Sequence, residues 1–104
     1  MGWNVSHGTN QYGEVRRSYT TMSNLAQHLA HALPARDWAS ISYLFNRGSG
    51  DPFTVPAAEA GRVGNVLHKA AKHRAMNPEW GQLATELGEA AQRAARAGQT
   101  WKWS

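Results

Sequence analysis

Near the middle of the chain, residues 51–60 read Asp-Pro-Phe-Thr-Val-Pro-Ala-Ala-Glu-Ala, a short alternating run followed at once by a helix start. Phe53 and Val55 are separated by one polar residue, the period-two pattern of a strand with one buried face. The strand must end there, because a residue before proline disfavours the α region and Pro56 suits the first position of a helix. Glu59 follows in the first helical turn, where the helix dipole favours a negative charge. The stretch therefore predicts a strand, a break and a helix in immediate succession.

Two further strands are predicted at the ends of the chain. Residues 2–7 place Trp3 and Val5 on one face, and residues 100–103 place both of their tryptophans on one face. Isolated two-stranded ribbons are marginally stable, so we expect the three strands to meet in one sheet. In that sheet the central strand, residues 52–55, would receive the two terminal strands.

The segment after the first strand is less regular. Residues 7–13 hold two glycines among polar turn formers and predict a loop. Residues 15–19 fit either a second short strand or a connector.

Four amphipathic helices are predicted from apolar residues that recur at three- and four-residue spacings. Their expected ranges are 22–33, 35–46, 56–74 and 78–97. Thr21 or Ser23 can cap the first helix, and Pro34 ends it. Asn77 suits the N-cap of the fourth helix, which Gly98 closes at the position that favours a left-handed residue.

Glycines also mark the helices at other places. Gly48 is expected just beyond the second helix, at the start of a loop that runs to residue 52. Gly61 and Gly64 lie inside the third helix, where they either permit close approach of another backbone or are simply tolerated. The fourth helix has a small-residue face that suits a close helix neighbour, made by Gly81, Thr85, Gly88, Gln92 and Ala95.

These elements predict an α+β fold. A small two- or three-stranded sheet, built from the N-terminal, central and C-terminal strands, would pack on about four α-helices. The length of 104 residues suits a single domain that spans residues 1–104.

The composition excludes several classes of protein. The chain has no cysteine, which removes disulfide scaffolds, thiolate metal sites and cysteine nucleophiles. The N-terminal residues lack the basic and apolar segments of a signal peptide, and no apolar run approaches the roughly 18 residues of a membrane span. We therefore expect a cytoplasmic protein that does not act at a membrane.

No arrangement of catalytic, cofactor-binding or metal-binding residues stands out. His28 and His31 are three residues apart on one helix, but no spacing ties further metal ligands to them. There is no Gly-x-Ser-x-Gly motif, and Asp37 and Asp51 suit a helix start and a turn. Residues 48–51 lack the lysine and the preceding strand of a phosphate-binding loop. We therefore expect no enzyme activity, no cofactor and no metal.

A basic stripe lies on the third predicted helix. Arg62, Lys69 and Lys72 repeat on a side that differs from its apolar face, and the net charge of the chain is +4. Clustered cations bind phosphates, so these three residues are a candidate polyanion-binding site. The alternative is the solvated face of an ordinary core helix.

The tryptophans near the two ends form a second candidate site. If the first and last strands pair, Trp3, Trp101 and Trp103 form one aromatic cluster. The core is the favoured location for this cluster, and any exposed part would be a candidate surface for binding a protein partner.

Five segments carry a resemblance that runs over the full length, and they are residues 25–29, 51–56, 79–84, 90–95 and 101–104. In these segments the chain resembles small uncharacterised proteins of high-GC actinobacteria and their phages. The resemblance implies no activity and no catalytic residues.

The leading functional hypothesis is a small cytoplasmic, non-enzymatic interaction module that acts through protein–protein contact, with another protein or with itself. It follows from the missing catalytic motifs together with the many aromatic residues and small-residue helix faces. The alternative is a nucleic-acid-binding accessory or regulatory protein that uses the basic face of the third helix.

Overall fold

The computed structural model of the chain describes residues 2–7, 10–45 and 52–104. In this part of the chain, four strands and four α-helices form an α+β arrangement, which confirms the predicted fold class, although the sheet has one strand more than the two or three expected. The strands are β1 (Gly2–His7), β2 (Asn10–Ser18), β3 (Phe53–Val55) and β4 (Trp101–Trp103). The α-helices are α1 (Tyr19–Ala32), α2 (Ala35–Ile41), α3 (Ala57–Ala71) and α4 (Pro78–Arg96).

The strands pair as one antiparallel sheet in the order β2-β1-β4-β3. Val5 of β1 lies opposite Val15 of β2 on one side and opposite Trp103 of β4 on the other. Phe53 of β3 also lies opposite Trp103. The expected central place of β3 is therefore wrong. β1 and β4 are instead neighbours inside the sheet. β4 takes this inner place because its two large indoles, Trp101 and Trp103, fill the buried face.

β2 occupies much of the segment that was expected to be a loop. β1 extends to His7 and β2 begins at Asn10, so the loop predicted over residues 7–13 is wrong outside residues 8–9, which lie beyond the described part of the chain. Turn-forming composition is outweighed here by backbone pairing with β1. The two interpretations of residues 15–19 resolve as strand, up to the start of α1.

The helix starts follow local rules, with one correction. Ser18 caps α1 by accepting a hydrogen bond from the backbone N–H of Thr21 at 3.1 Å, so the expected caps Thr21 and Ser23 are wrong. α1 consequently begins at Tyr19 rather than at Met22. The start of α4 is confirmed, since Asn77 caps it as predicted.

Glycine ends α4 as predicted. Gly98 has φ 66°, and the backbone N–H of Gln99 donates to the carbonyl of Ala94 at 2.9 Å, the Schellman arrangement that glycine favours. α2 is shorter than predicted and ends at Ile41, where a 3-10 turn follows. The predicted role of Gly48 and of the loop after it lies outside the described residues.

An aromatic cluster fills the space between the sheet and the helices. Trp103 and Trp101 are 0% exposed and Trp3 is 5% exposed. The ring of Trp103 contacts those of Trp3, Trp101, Phe45 and Phe53 at centroid distances of 5.4–5.8 Å. The cluster of Trp3, Trp101 and Trp103 thus lies in the core, the location favoured from the sequence, and it has almost no exposed part that could bind a partner.

α3 and α4 pack closely through glycines. A methyl group placed on Gly64 would lie 2.6 Å from Cγ of Gln92 and 2.9 Å from the carbonyl oxygen of Gly88. Gly64 therefore permits close approach of another backbone, one of the two alternatives open from the sequence. The small-residue face of α4 meets α3 of the same chain, so this face is not left for a second protein.

None of the described helices combines the length and the apolar character needed to cross a membrane. The cytoplasmic location stays a prediction.

Candidate functional site

The outer edge of the sheet is formed by β2, whose far side has no strand neighbour among the described residues. Asn4 of β1 exchanges both backbone hydrogen bonds with Ser104, at 2.8 and 2.9 Å, so its backbone groups face β4. Successive residues of an antiparallel strand direct these groups to opposite sides. Arg17 lies opposite Trp3, the neighbour of Asn4, so the backbone groups of Arg17 bond to β1. Its neighbour Arg16 consequently directs its N–H and C=O groups to the outer edge, and Ser18 directs its N–H there.

The side chain of Arg17 covers part of this edge. Its Nη1 donates to the carbonyl oxygen of Arg16 at 2.7 Å, and its Nη2 donates to Oε2 of Glu86 on α4, also at 2.7 Å. Both side chains of the ion pair are 38% exposed. Water screens a pair of this kind, which typically contributes less than about 1 kcal/mol. The guanidinium is therefore held in place by exchangeable contacts.

A trough runs between the edge of β2 and helix α4, and the Arg17–Glu86 ion pair divides it into two cavities. The first has a volume of about 320 Å³ and is lined, beside the ion pair, by Thr21, Glu79, Trp80, Gln82 and Leu83. The second has a volume of about 290 Å³ and is lined, beside the ion pair, by Val15, Glu89 and Arg93. We call the two cavities together the β2–α4 trough.

The helical wall of the β2–α4 trough is acidic. Glu79, Glu86 and Glu89 are spaced seven and three residues apart, which places them on one side of α4. Glu86 is ion-paired with Arg17, whereas Glu79 and Glu89 have no ion-pair partner within the described residues. Arg93 lines the far end of the second cavity. Three carboxylates thus stand against two cations, although the chain as a whole carries +4.

The apolar part of the trough is held by a ring contact. Trp80 stacks on the imidazole of His28, with ring centroids 5.0 Å apart and planes inclined by 22°. His28 therefore supports the wall of the first cavity. Among the described residues, no three His, Cys, Asp or Glu side chains are placed to hold a metal ion, so neither His28 nor His31 gains a set of further ligands there.

The basic stripe of α3 is partly neutralised by acidic neighbours. Arg62 is ion-paired with Glu59, and its Nη2 donates to the carbonyl oxygen of Ser40 at 2.8 Å. Lys69 is ion-paired with Asp37 of α2 at 2.6 Å. The structure thus places two of the three cations on the surface that α2 and α3 share.

The third cation of the stripe, Lys72, lies exposed at the C-terminal cap of α3. Tyr43 is also exposed and lies near Glu59 and Arg62. Partial burial raises the pKa of its phenol above 10.0, the negative charge of Glu59 raises it further, and Arg62 opposes the rise.

Sequence reasoning missed the β2–α4 trough. Arg17 and Glu86 are 69 positions apart, and nothing local in the sequence links them. One usable signal was the spacing of Glu79, Glu86 and Glu89, which marks one side of α4, but it is equally typical of a solvated helix face.

A family model described as a domain of unknown function, DUF7739, matches residues 8–104. No curated protein and no solved structure matches the chain. The resemblance to actinobacterial and phage proteins stays a prediction.

Proposed function

The chain belongs to the DUF7739 family, and we propose that it is a non-enzymatic protein-contact module that binds a partner by adding the partner's extended segment to the outer edge of β2. The observation that carries the proposal is the edge itself. β2 stands at the end of the strand order, with β1 on one side and no strand neighbour on the other within the described residues.

Two features favour strand addition at this edge. β2 has nine residues, which is long for an edge strand, since natural proteins commonly keep edges short or covered. The trough beside it can receive side chains, and main-chain hydrogen bonds with pockets for alternate side chains are the general basis of binding by strand addition. The tryptophans are buried and the small-residue face of α4 packs on α3, so neither supports binding of a partner. The outer edge of β2 supports it instead.

A backbone substitution tests the proposal. In the variant Arg16→Pro the outward N–H is lost, and the hydrogen bonds that Arg17 makes to β1 are left in place, as expected for proline on an edge strand. The matched control Arg16→Ala removes the same side chain but keeps the N–H. The probes are fluorescein-labelled peptides of about seven residues, a common strand length, that alternate threonine with lysine, serine or glutamate. Their affinities are measured by fluorescence polarisation.

We expect Arg16→Pro to weaken the best of these peptides by about tenfold relative to Arg16→Ala, a loss of the size expected for a hydrogen bond in a desolvated contact. Equal binding by the two variants would contradict strand addition. Circular dichroism and thermal melts show whether each variant keeps the fold.

Polyanion binding is the second candidate function. It is favoured by the exposure of the basic stripe, where the Lys69 side chain is 62% exposed and its ion pair with Asp37 is open to competition from phosphate. It ranks second because Glu59 and Asp37 already neutralise two of the three cations. Salt-dependent binding to duplex DNA that is lost in Lys69→Glu/Lys72→Glu supports it, and no mobility shift at low salt contradicts it.

A further inference from the structure

We infer that the partner segment at the β2 edge carries lysine or arginine at alternate positions, with the cationic side chains directed into the β2–α4 trough. The inference rests on the proposed strand addition and names the chemistry of the occupant. It is carried by the contacts of Arg17, by the order of the two cavities and by the charge of their helical wall.

Arg17 shows which groups the site accepts. One of its N–H groups satisfies the outward carbonyl of Arg16, and another satisfies the carboxylate of Glu86, each at 2.7 Å. An added strand with a basic side chain offers the same two donors. Its backbone N–H can bond to the carbonyl of Arg16, and its cation can pair with Glu86. Arg17 is thus an intramolecular stand-in that such a segment would displace.

The two cavities lie next to each other, with Arg17 and Glu86 in the lining of both. Val15 of β2 lines the second cavity, Thr21 of α1 lines the first, and Arg17 borders both, so the cavities follow one another past the Arg17 side chain, from β2 to the start of α1. Side chains of a strand that point to the same face are about 7 Å apart. Alternate residues of one extended segment can therefore enter neighbouring cavities without a change of direction.

The lining of the trough selects long cationic side chains. In the first cavity, Trp80 and Leu83 offer apolar surface beside the carboxylate of Glu79. Lysine and arginine pack their methylene stems on such a surface while the charged end stays in contact with water and anions. In the second cavity, Glu89 offers a carboxylate opposite the cation of Arg93.

Local charge decides the attraction at contact distance. The net charge of +4 would repel a basic segment at long range. At physiological salt, however, charges separated by more than about 8 Å are largely screened, so the carboxylates that line the trough outweigh distant lysines and arginines. A glutamate-containing segment would meet the same three carboxylates against only two cations, Arg17 and Arg93, and would be disfavoured.

The peptides described above test this chemistry. At about 50 mM salt we expect the lysine–threonine peptide to bind roughly tenfold more tightly than the glutamate–threonine peptide, with the ratio falling as salt rises. Arg17→Ala, which removes the stand-in, is expected to raise the affinity of the lysine–threonine peptide about threefold or more, because the peptide no longer competes with an internal donor.

A matched pair of carboxylate variants locates the contact. Glu89→Gln in the trough and Glu59→Gln on α3 change the net charge by the same amount. We expect Glu89→Gln to weaken the lysine–threonine peptide by about fivefold, Glu59→Gln to leave its affinity unchanged, and neither to alter the serine–threonine peptide. Equal effects of the two variants would overturn a specific contact in the trough.

The outcomes separate the inference from the proposed function. If the three peptides bind equally well and Arg16→Pro weakens all of them, strand addition stands and the preference for a basic segment is overturned. If neither the wild-type chain nor Arg17→Ala binds any peptide, both are overturned. If sedimentation shows a dimer that Arg16→Pro disperses, the occupant is a second copy of this chain, and the inference of a basic partner segment is overturned.

Discussion

Replacing Gly64 by alanine tests the close contact between α3 and α4. The new methyl group would lie 2.6 Å from Cγ of Gln92 and 2.9 Å from the carbonyl oxygen of Gly88. The Gln92 side chain can turn away, but the Gly88 carbonyl belongs to a helix backbone and can move only with α4. Overpacking of this kind costs about 1–3 kcal/mol, and alanine in place of glycine inside a helix returns about 1 kcal/mol.

Gly61 provides a control in the same helix. Among the described residues, the one atom within 4 Å of a methyl group placed there would be Cβ of Ala95, at 3.3 Å. Since Gly61→Ala has the same gain in helix propensity, the difference between the two variants isolates the clash at Gly64. We expect Gly64→Ala to be less stable than Gly61→Ala by about 2 kcal/mol, or roughly 8–16 °C in melting temperature for a domain of this size.

Urea denaturation followed by circular dichroism measures this difference, and the slope of the transition shows whether both variants unfold in the same way. A Gly64→Ala variant as stable as Gly61→Ala would refute the close backbone approach on which the packing of α3 against α4 is argued.

Three further outcomes follow from single side chains. Trp103→Ala should lower the free energy of unfolding by about 3–5 kcal/mol, measured by urea denaturation, because it empties the centre of the aromatic cluster. Asn77→Ala should cost about 1 kcal/mol in the same assay, since the Asn77 side chain accepts the backbone N–H of Glu79 at 2.9 Å and caps α4. The raised pKa of Tyr43 means that its phenol holds its proton more tightly in the folded chain than in the unfolded chain. The stability that this contributes is complete below pH 10.0 and is lost as the pH rises through the folded pKa, so Tyr43→Phe should flatten the loss of stability at high pH, and Glu59→Gln should lower the pKa found by absorbance titration.

Local sequence was sufficient for the elements whose causes are local. Pro56 separates β3 from α3, Asn77 caps α4, and Gly98 ends α4 in a left-handed conformation. Each depends on the dihedral angles or hydrogen bonds of a few neighbouring residues, so a short window of sequence contains the cause. The alternation of Trp101 and Trp103 likewise predicted a strand with one buried face.

Tertiary structure decided where those elements lie. The turn-like residues 10–13 become strand because they belong to β2, which pairs with β1 from Asn10 to Ser18, and this pairing is invisible in their own composition. The order of the sheet depends on which residues fill the core, so the last strand, β4, takes the place beside β1 that was expected for β3.

The candidate site shows the same division. The sequence by itself determined an α+β chain with its helices, most of its strands and a spaced set of carboxylates on α4. Only the tertiary structure brought Glu86 to Arg17 across 69 positions, and only it brought Lys69 of α3 to Asp37 of α2. The physical reason is that helix and strand formation depend largely on neighbours along the chain, whereas a trough, an ion pair between two elements or the order of strands in a sheet depends on neighbours in space.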